Sequence, residues 1–259
     1  MKSPDTNSFR RSGINEKIAA VVCGLLLLIT ILITATQAVC YWIPDWWRKE
    51  YARYDTPQYV TGEMSLDDAV YITEQMLEYC IGRLDTLDDT KATIDGVTAP
   101  FFTQREKDHL SDCRDIFLGA VRLRAISILV IIAFIIALYY SISRRKEEAS
   151  GGVVPAKASV YSDMLQILSK GYLTALAVLI LFACILIVIG MHDFTYLFTK
   201  FHHVFFDNDL WILDPRQDNL VNVMQESVFS DAAVTIGSIW GICAAVLAVV
   251  SAVILRRDR

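Results

Sequence analysis

The chain alternates long apolar blocks with stretches rich in acidic and aromatic residues. Four blocks approach or exceed the roughly 20 apolar residues a helix needs to cross a bilayer. They are "IAAVVCGLLLLITILITATQAVCYWI" at 18–43, "AISILVIIAFIIALYY" at 125–140 with the preceding "IFLGAVRLR", "YLTALAVLILFACILIVIG" at 172–190, and "AAVTIGSIWGICAAVLAVVSAVIL" at 232–255. The first block is too long for the apolar core of a signal peptide, and no small-residue cleavage pattern follows it at once. The pattern therefore predicts an all-α membrane protein with four transmembrane helices. Two outer loops would form a mixed helical and extended lid.

Composition agrees: 54% of the residues are hydrophobic. The basic residues give the orientation. Lys2, Arg10, Arg11 and Lys17 precede the first block; Arg144, Arg145, Lys146, Lys157 and Lys170 lie between the second and third; Arg256, Arg257 and Arg259 follow the fourth. In a four-span chain these segments share one face, which the positive-inside bias makes cytoplasmic. The expected order is a cytoplasmic tail 1–17, a span 18–43, an extracellular loop 44–116, a span 117–142, a cytoplasmic loop 143–170, a span 171–191, an extracellular loop 192–230, a span 231–255 and a cytoplasmic tail 256–259. All four histidines, His109, His192, His202 and His203, then fall on the outer side or at the outer membrane edge.

The first outer loop is too long to be a simple connection. It opens on "YWIPDWWRKEYARY", whose aromatic and basic residues suit an interfacial anchor. Ser65 and Asp68 have capping-box spacing and predict a helix from Leu66 to about Arg83. Asp95-Gly96 between two β-favouring runs predicts a short hairpin. Thr103 and Glu106 repeat the capping signal, so a helix from Gln104 should run straight into the second span. Cys80 and Cys113 could pair in an oxidising compartment, which sequence alone does not decide.

On that helix His109 and Asp112 are three apart and share a face, where a carboxylate can orient an imidazole. Arg122 and Arg124 follow where the helix enters the outer leaflet. Each can snorkel, or meet a phosphate or ester carbonyl. In the second outer loop Phe194, Leu197, Phe198, Phe201 and Phe205 repeat at helical spacing, giving an amphipathic interfacial helix. His202 flanks its apolar stripe, whereas His203 lies on the polar side with Thr199, Lys200 and Tyr196. Burial would keep His202 a neutral base, and a packed core histidine is the other reading of the same position. Adjacent histidines point apart on a helix, and no paired-cysteine or spaced-histidine motif supports a metal. Nucleophile-elbow, phosphate-loop and nucleic-acid patterns are absent.

Two stretches carry a resemblance. "HLSDCRDIF" precedes the second span, and "FHHVFFDNDLWILDPRQDNLVNVMQESVF" lies between the third and fourth. Together with the four-span layout they resemble the lipoprotein intramolecular transacylase (Lit) family of bacterial membrane proteins. The matching positions are His109, Asp112 and Arg114, then Phe201, His202, Phe205, Phe206, Asp209, Trp211, Asp214, Pro215 and Asp218. Cys113 stands where the first pattern has an aliphatic residue, "QESVF" lacks a proline expected before the glutamate, and the cytoplasmic loop is longer than the family's.

The resemblance implies an enzyme without cofactor or metal. It would move an acyl chain from the diacylglyceryl group of a lipoprotein's N-terminal cysteine to that cysteine's α-amine, giving the lyso form. Amine attack on an ester needs a base, an acid for the leaving alkoxide and a donor for the oxyanion. The implied assignment is His109 as base oriented by Asp112, with His202 as acid or electrostatic partner, in either order. A base near the ordinary histidine pKa of about 6.5 would give activity rising between pH 5 and 7. Arg114, Arg122, Phe205, Phe206, Asp209, Trp211 and Asp214 are the implied substrate-binding residues. Diacylglyceryl lipoproteins and membrane phospholipid are the implied partners, without nucleic acid; the oligomeric state is open. The site would face the outer leaflet of the cell membrane. A non-enzymatic membrane sensor or accessory protein is the competing class.

Overall fold

The computed structural model describes residues 13–60 and 62–257. Lys2, Arg10 and Arg11 of the expected cytoplasmic tail, and the terminal Arg259, lie outside the described residues. Helix α1 spans Ile14–Gln37 and continues as a π-helical turn, Ala38–Trp42. It stops because Ile43 precedes a proline and is extended. Helix α2, Trp46–Arg53, and a 3-10 turn, Thr56–Tyr59, follow. Helix α3 is Leu66–Cys80, with the Ser65 hydroxyl accepting from the Asp68 amide at 3.0 Å. It ends three residues before the expected Arg83. Gly82 takes φ 78°, the left-handed conformation that closes helices.

Strands β1, Lys91–Ile94, and β2, Val97–Pro100, form the expected hairpin. Asp95 and Gly96 both have positive φ, 51° and 75°, which suits the tight twist of a two-residue turn. Helix α4 runs Gln104–Ala149 without interruption, capped as expected: the Thr103 amide donates to Glu106 Oε2 at 2.6 Å. Helix α5, Lys157–His192, helix α6, Phe194–Phe205, the short helix α7, Leu220–Val223, and helix α8, Glu226–Arg257, complete the chain.

The helices α1 with its π turn, α4, α5 and α8 are long and apolar enough to cross a membrane. The chain is a multi-pass membrane protein of the expected all-α class. The helices exceed the expected spans, and most of segment 143–170 is helical. "RRKEEA" and "ASVYSDM" are good helix material, and Lys146 pairs with Asp163 at 2.9 Å. Only a short break remains, where Gly151 and Gly152 adopt φ of 71° and 93° and Pro155 follows.

The chain packs as two units. Among the described residues, the first comprises 13–33, 123–185 and 238–257. In it α1 and α5 approach backbone to backbone. A Cβ on Gly171 would lie 2.5 Å from the Ala20 carbonyl carbon, and one on Gly24 would lie 2.9 Å from the Tyr172 Cα. Small residues permit such contact, which replaces hydrophobic driving force in lipid. Leu28, Tyr172, Ala175, Leu176 and Ala244 pack together, while the Tyr172 hydroxyl donates to the Ala244 carbonyl and the Trp240 indole to the Leu28 carbonyl.

The second unit comprises the described residues of 34–122 and 186–237. Its core is built on Tyr51, fully buried, whose hydroxyl meets Thr73 Oγ1 at 2.6 Å and Met224 Sδ at 3.1 Å. Asp231 receives Arg53 and the Tyr54 hydroxyl, each at 2.7 Å. All six cysteines are free thiols, Cys80 and Cys113 included.

Candidate active site

The first turns of α4, "QREKDHLSDCRD", are too polar for hydrocarbon and belong wholly to the second unit. They grip the 208–220 loop at several points. The Glu106 carboxylate is fully buried. Besides capping α4, it accepts from the Leu220 amide at 2.5 Å and so caps the start of α7. Burial raises its pKa, while the Leu220 and Thr103 amides oppose the rise. The Thr103 hydroxyl donates to Asp218, whose other oxygen receives the Asp214 amide at 2.8 Å. Arg105 donates to the carbonyls of Asp209 and Ile212, on either side of Trp211.

Beside this grip four rings meet. His109 on α4 and His202 on α6 have centroids 6.1 Å apart, and each is 7% exposed. Buried Phe206 lies 5.0 Å from His109 and 5.6 Å from His202. Trp211 stacks on His202 at 4.8 Å. The expected inequality of the adjacent histidines is present: His202 is buried, and His203 is exposed with its edge toward Trp211.

Both buried rings are neutral over most of the physiological range. Burial, reinforced by His202, pushes His109 down to about 4, with Asp112 pulling weakly the other way. Burial also lowers His202, against the effect of its hydrogen bond to Phe198. That bond, 2.8 Å from His202 Nδ1 to the Phe198 carbonyl, fixes the tautomer. A carbonyl only accepts, so Nδ1 carries the hydrogen and Nε2 keeps its lone pair. Nε2 has no hydrogen-bond partner among the described residues. In His109, Nε2 faces Cys113 Sγ at 3.6 Å, and Nδ1 is buried without a partner. The Trp211 indole nitrogen is likewise buried and unpaired. One neutral base and unpaired groups beside it are what aminolysis of an ester requires.

The structure redistributes several expected site residues. Asp112 does not hydrogen-bond His109; it accepts from Asn208 Nδ2 at 2.8 Å and helps hold the loop. The carboxylate reaches across to the loop, and the neighbour of the imidazole one turn on is Cys113. Arg114 donates to the Leu84 and Asp85 carbonyls and covers the Tyr79 ring at 4.6 Å, so it braces the end of α3. Arg122 is exposed thirteen positions beyond His109, about 20 Å along the helix at 1.5 Å per residue, outside the cluster. Asp214 is engaged by Arg216 and by the Asp218 turn, and the Asp209 side chain is exposed. Phe205 is exposed beside Phe201, 4.6 Å between rings, and Phe206 and Trp211 join the histidines. Burial also takes His109 well below the ordinary histidine pKa on which the expected activity profile rested.

Sequence reasoning missed Arg105, Asn208, Cys113 and the Phe198 carbonyl. Cys113 carried a signal, one helical turn from His109. The others act through backbone carbonyls or across the fold, where spacing carries no information. Among the described residues, no group of three His, Cys, Asp or Glu side chains is placed to hold a metal ion.

The comparisons with known proteins agree with one another. A model of the lipoprotein intramolecular transacylase Lit family matches residues 21–229. Among solved structures, the membrane-integral lipoprotein intramolecular transacylase Lit from Bacillus cereus superposes with a TM-score of 0.70 at 19% identity, covering 96% of this chain and 99% of that one. Two single-histidine variants of that protein, to arginine and to alanine, each give a TM-score of 0.66 at 17% identity. They cover 97% of this chain, and 96% and 98% of theirs. No curated protein matches the chain.

Proposed function

The chain belongs to the lipoprotein intramolecular transacylase Lit family, and from that premise we propose that the buried His109 and His202 carry its reaction. The enzyme is a membrane transacylase. It moves an acyl chain from the diacylglyceryl group of a lipoprotein's N-terminal cysteine to the α-amine of the same cysteine. The amine is already tethered to the ester, so proximity is built into the substrate and no enzyme nucleophile is needed.

The observation that carries the assignment is the pair of buried neutral imidazoles, 6.1 Å apart, on two helices with Phe206 packed against both rings. His202 Nε2 has the free lone pair and serves as base. It takes a proton as the amine nitrogen bonds to the carbonyl carbon, and returns it to the glyceryl oxygen as the carbon–oxygen bond breaks. Of the two orders that the resemblance left open, this is the one with His202 as base and His109 supplying the second polar group. Trp211 holds the His202 ring by stacking, and Phe206 keeps both rings dry. The exposed Phe201, Val204 and Phe205 face of α6 offers apolar surface to acyl chains and membrane phospholipid.

The site works at the outer leaflet with both termini cytoplasmic. The clustering of basic residues supports this, as does the ion pair of Glu16 with Arg145 at 2.9 Å, which joins the start of α1 to the basic end of α4. A tag near Asp88 should be reachable from outside the cell, and a reporter after Arg257 should be cytoplasmic.

The test is conversion of a diacylglyceryl lipopeptide by the purified protein, followed by mass spectrometry. Wild type should yield the N-acyl lyso product. A folded His202→Ala protein that retained turnover would remove His202 from the mechanism.

A further inference from the structure

The two buried rings are not interchangeable, because they differ in which nitrogen holds the hydrogen. Resting on the two-histidine reading above, we infer that Cys113 is a positioning residue that fixes His109 as the Nδ1–H tautomer, making this ring a neutral donor to the oxyanion and leaving proton transfer to His202.

Cys113 lies one turn beyond His109 on α4, and i,i+4 side chains meet on a helix. Its sulfur is 3.6 Å from His109 Nε2. Burial, followed by the charge of Asp112, pushes its thiol up to about 12, so it is a protonated S–H. A thiol is a weak donor and a weak acceptor. The ring decides between these roles. If Nε2–H pointed at sulfur, Nδ1 would be a second lone pair beside that of His202, and neither imidazole would offer a donor to the substrate. If S–H points at Nε2, Nδ1 carries the hydrogen. His109 is 7% exposed, and its Nδ1 is buried without a partner. A buried donor left unpaired is destabilising. An acceptor that arrives with the substrate relieves that cost, and the acyl oxygen is one.

A neutral imidazole whose proton affinity is depressed by its surroundings is known to polarise carbonyls without giving up its hydrogen. The amine proton passes to His202 Nε2, the electron pair of the carbonyl moves onto the oxygen facing His109 Nδ1–H, and the tetrahedral centre collapses with loss of the glyceryl oxygen. The proton then returns from His202 to that oxygen. His109 and Cys113 end as they began. Cys113 is also where this chain departs from the aliphatic residue of the first family motif, so the device belongs to this chain.

The experiment uses the full chain in detergent with ¹⁵N-labelled histidine, the His109 signals being assigned by their loss in His109→Gln. Wild type should show protonated Nδ1 and unprotonated Nε2 at position 109. Cys113→Ser, with a stronger donor, should keep that pattern and keep turnover within about threefold. Cys113→Val should shift both nitrogens toward a tautomer mixture and lower kcat about three- to tenfold with KM unchanged, a fraction of the cost of deleting an oxyanion donor. A wild-type Nε2 in the protonated range overturns the inference, as does a Cys113→Val protein with wild-type shifts and turnover. Should the wild-type protein fail to convert the diacylglyceryl lipopeptide at all, the two-histidine transacylase reading falls, while the nitrogen shifts still decide what Cys113 does.

Discussion

Trp240 and Trp211 use the indole N–H differently. Trp240, in the first unit, donates to the Leu28 carbonyl at 3.0 Å and ties α8 to α1. Trp211, in the second, stacks on His202 and leaves its nitrogen unpaired. The first unit also brings helices to backbone contact through Gly24 and Gly171. The second spreads its hydrogen bonds around the rim of the site, from Thr103, Arg105, Glu106 and Asn208, and leaves atoms at the centre free. The Trp240 N–H holds two helices together, while the unpaired Trp211 N–H sits beside the histidines proposed as catalytic. Changes in the two places should therefore separate stability from turnover.

The sharpest test is at the two adjacent histidines. His202→Ala should lower turnover per folded molecule by roughly 10²–10⁴, the range of a general base, with a modest fall in thermal midpoint as a stacked, hydrogen-bonded ring is lost. His203→Ala should stay within a few-fold, since that ring is exposed. Lipopeptide conversion beside thermal denaturation in detergent reads both. Equal losses at the two positions would break the distinction between an inward and an outward ring.

The opposite signature belongs to Gly171. Alanine there forces a Cβ against the Ala20 backbone, and neither helix has a side chain that can give way. Overpacking of this kind costs about 1–3 kcal/mol. Thermal unfolding should come earlier, while turnover per folded molecule holds. A Gly171→Ala protein of unchanged stability but altered turnover would mean that the bundle does more than hold the chain.

The tryptophans themselves give the direct comparison. Trp211→Phe keeps an aromatic ring on His202 and removes an unpaired donor, so turnover should drop about tenfold without loss of stability. Trp240→Phe should cost about 1 kcal/mol, one hydrogen bond, and leave turnover alone. Exchange of these two outcomes would reverse the contrast.

How much of this could be read from the sequence follows the same division. The four spans were legible because bilayer crossing imposes a length and composition that few other structures share. The hairpin at Asp95-Gly96 and the start of α4 were legible because turn and cap residues act on their own backbone. His202 and His203 were separable because helical spacing alone assigns their faces. Asp112 was misplaced for an equally physical reason. Spacing shows that it shares a face with His109, but not that Asn208, distant in sequence, arrives to take the carboxylate. Arg105 grips backbone carbonyls, which are the same in every sequence. Glu106 was visible as a cap, and its second bond to Leu220 exists only once the loop has folded back.

The smallest effect concerns acid. An unfolded histidine titrates near 6.5, whereas burial takes His109 down to about 4 and also lowers His202. Between these values the unfolded chain binds more protons than the folded one, so stability increases with pH there. The contribution is therefore complete above about 6.5 and is lost as pH falls through about 4. Burial keeps His109 neutral between pH 5 and 7. The substrate α-amine, whose ordinary pKa is near 8 and which attacks only when neutral, adds a limb of activity that rises with pH. Thermal midpoints taken from pH 7 to pH 4 should decline in wild type, and less steeply in His109→Phe, which has no proton to exclude. Asp112→Asn removes an influence that raises the His109 pKa, so its decline should extend to slightly lower pH. A His109→Phe protein whose midpoint followed pH as steeply as wild type would show that His109 is solvated, and the contrast between a dry site and a structural bundle would lose its electrostatic half.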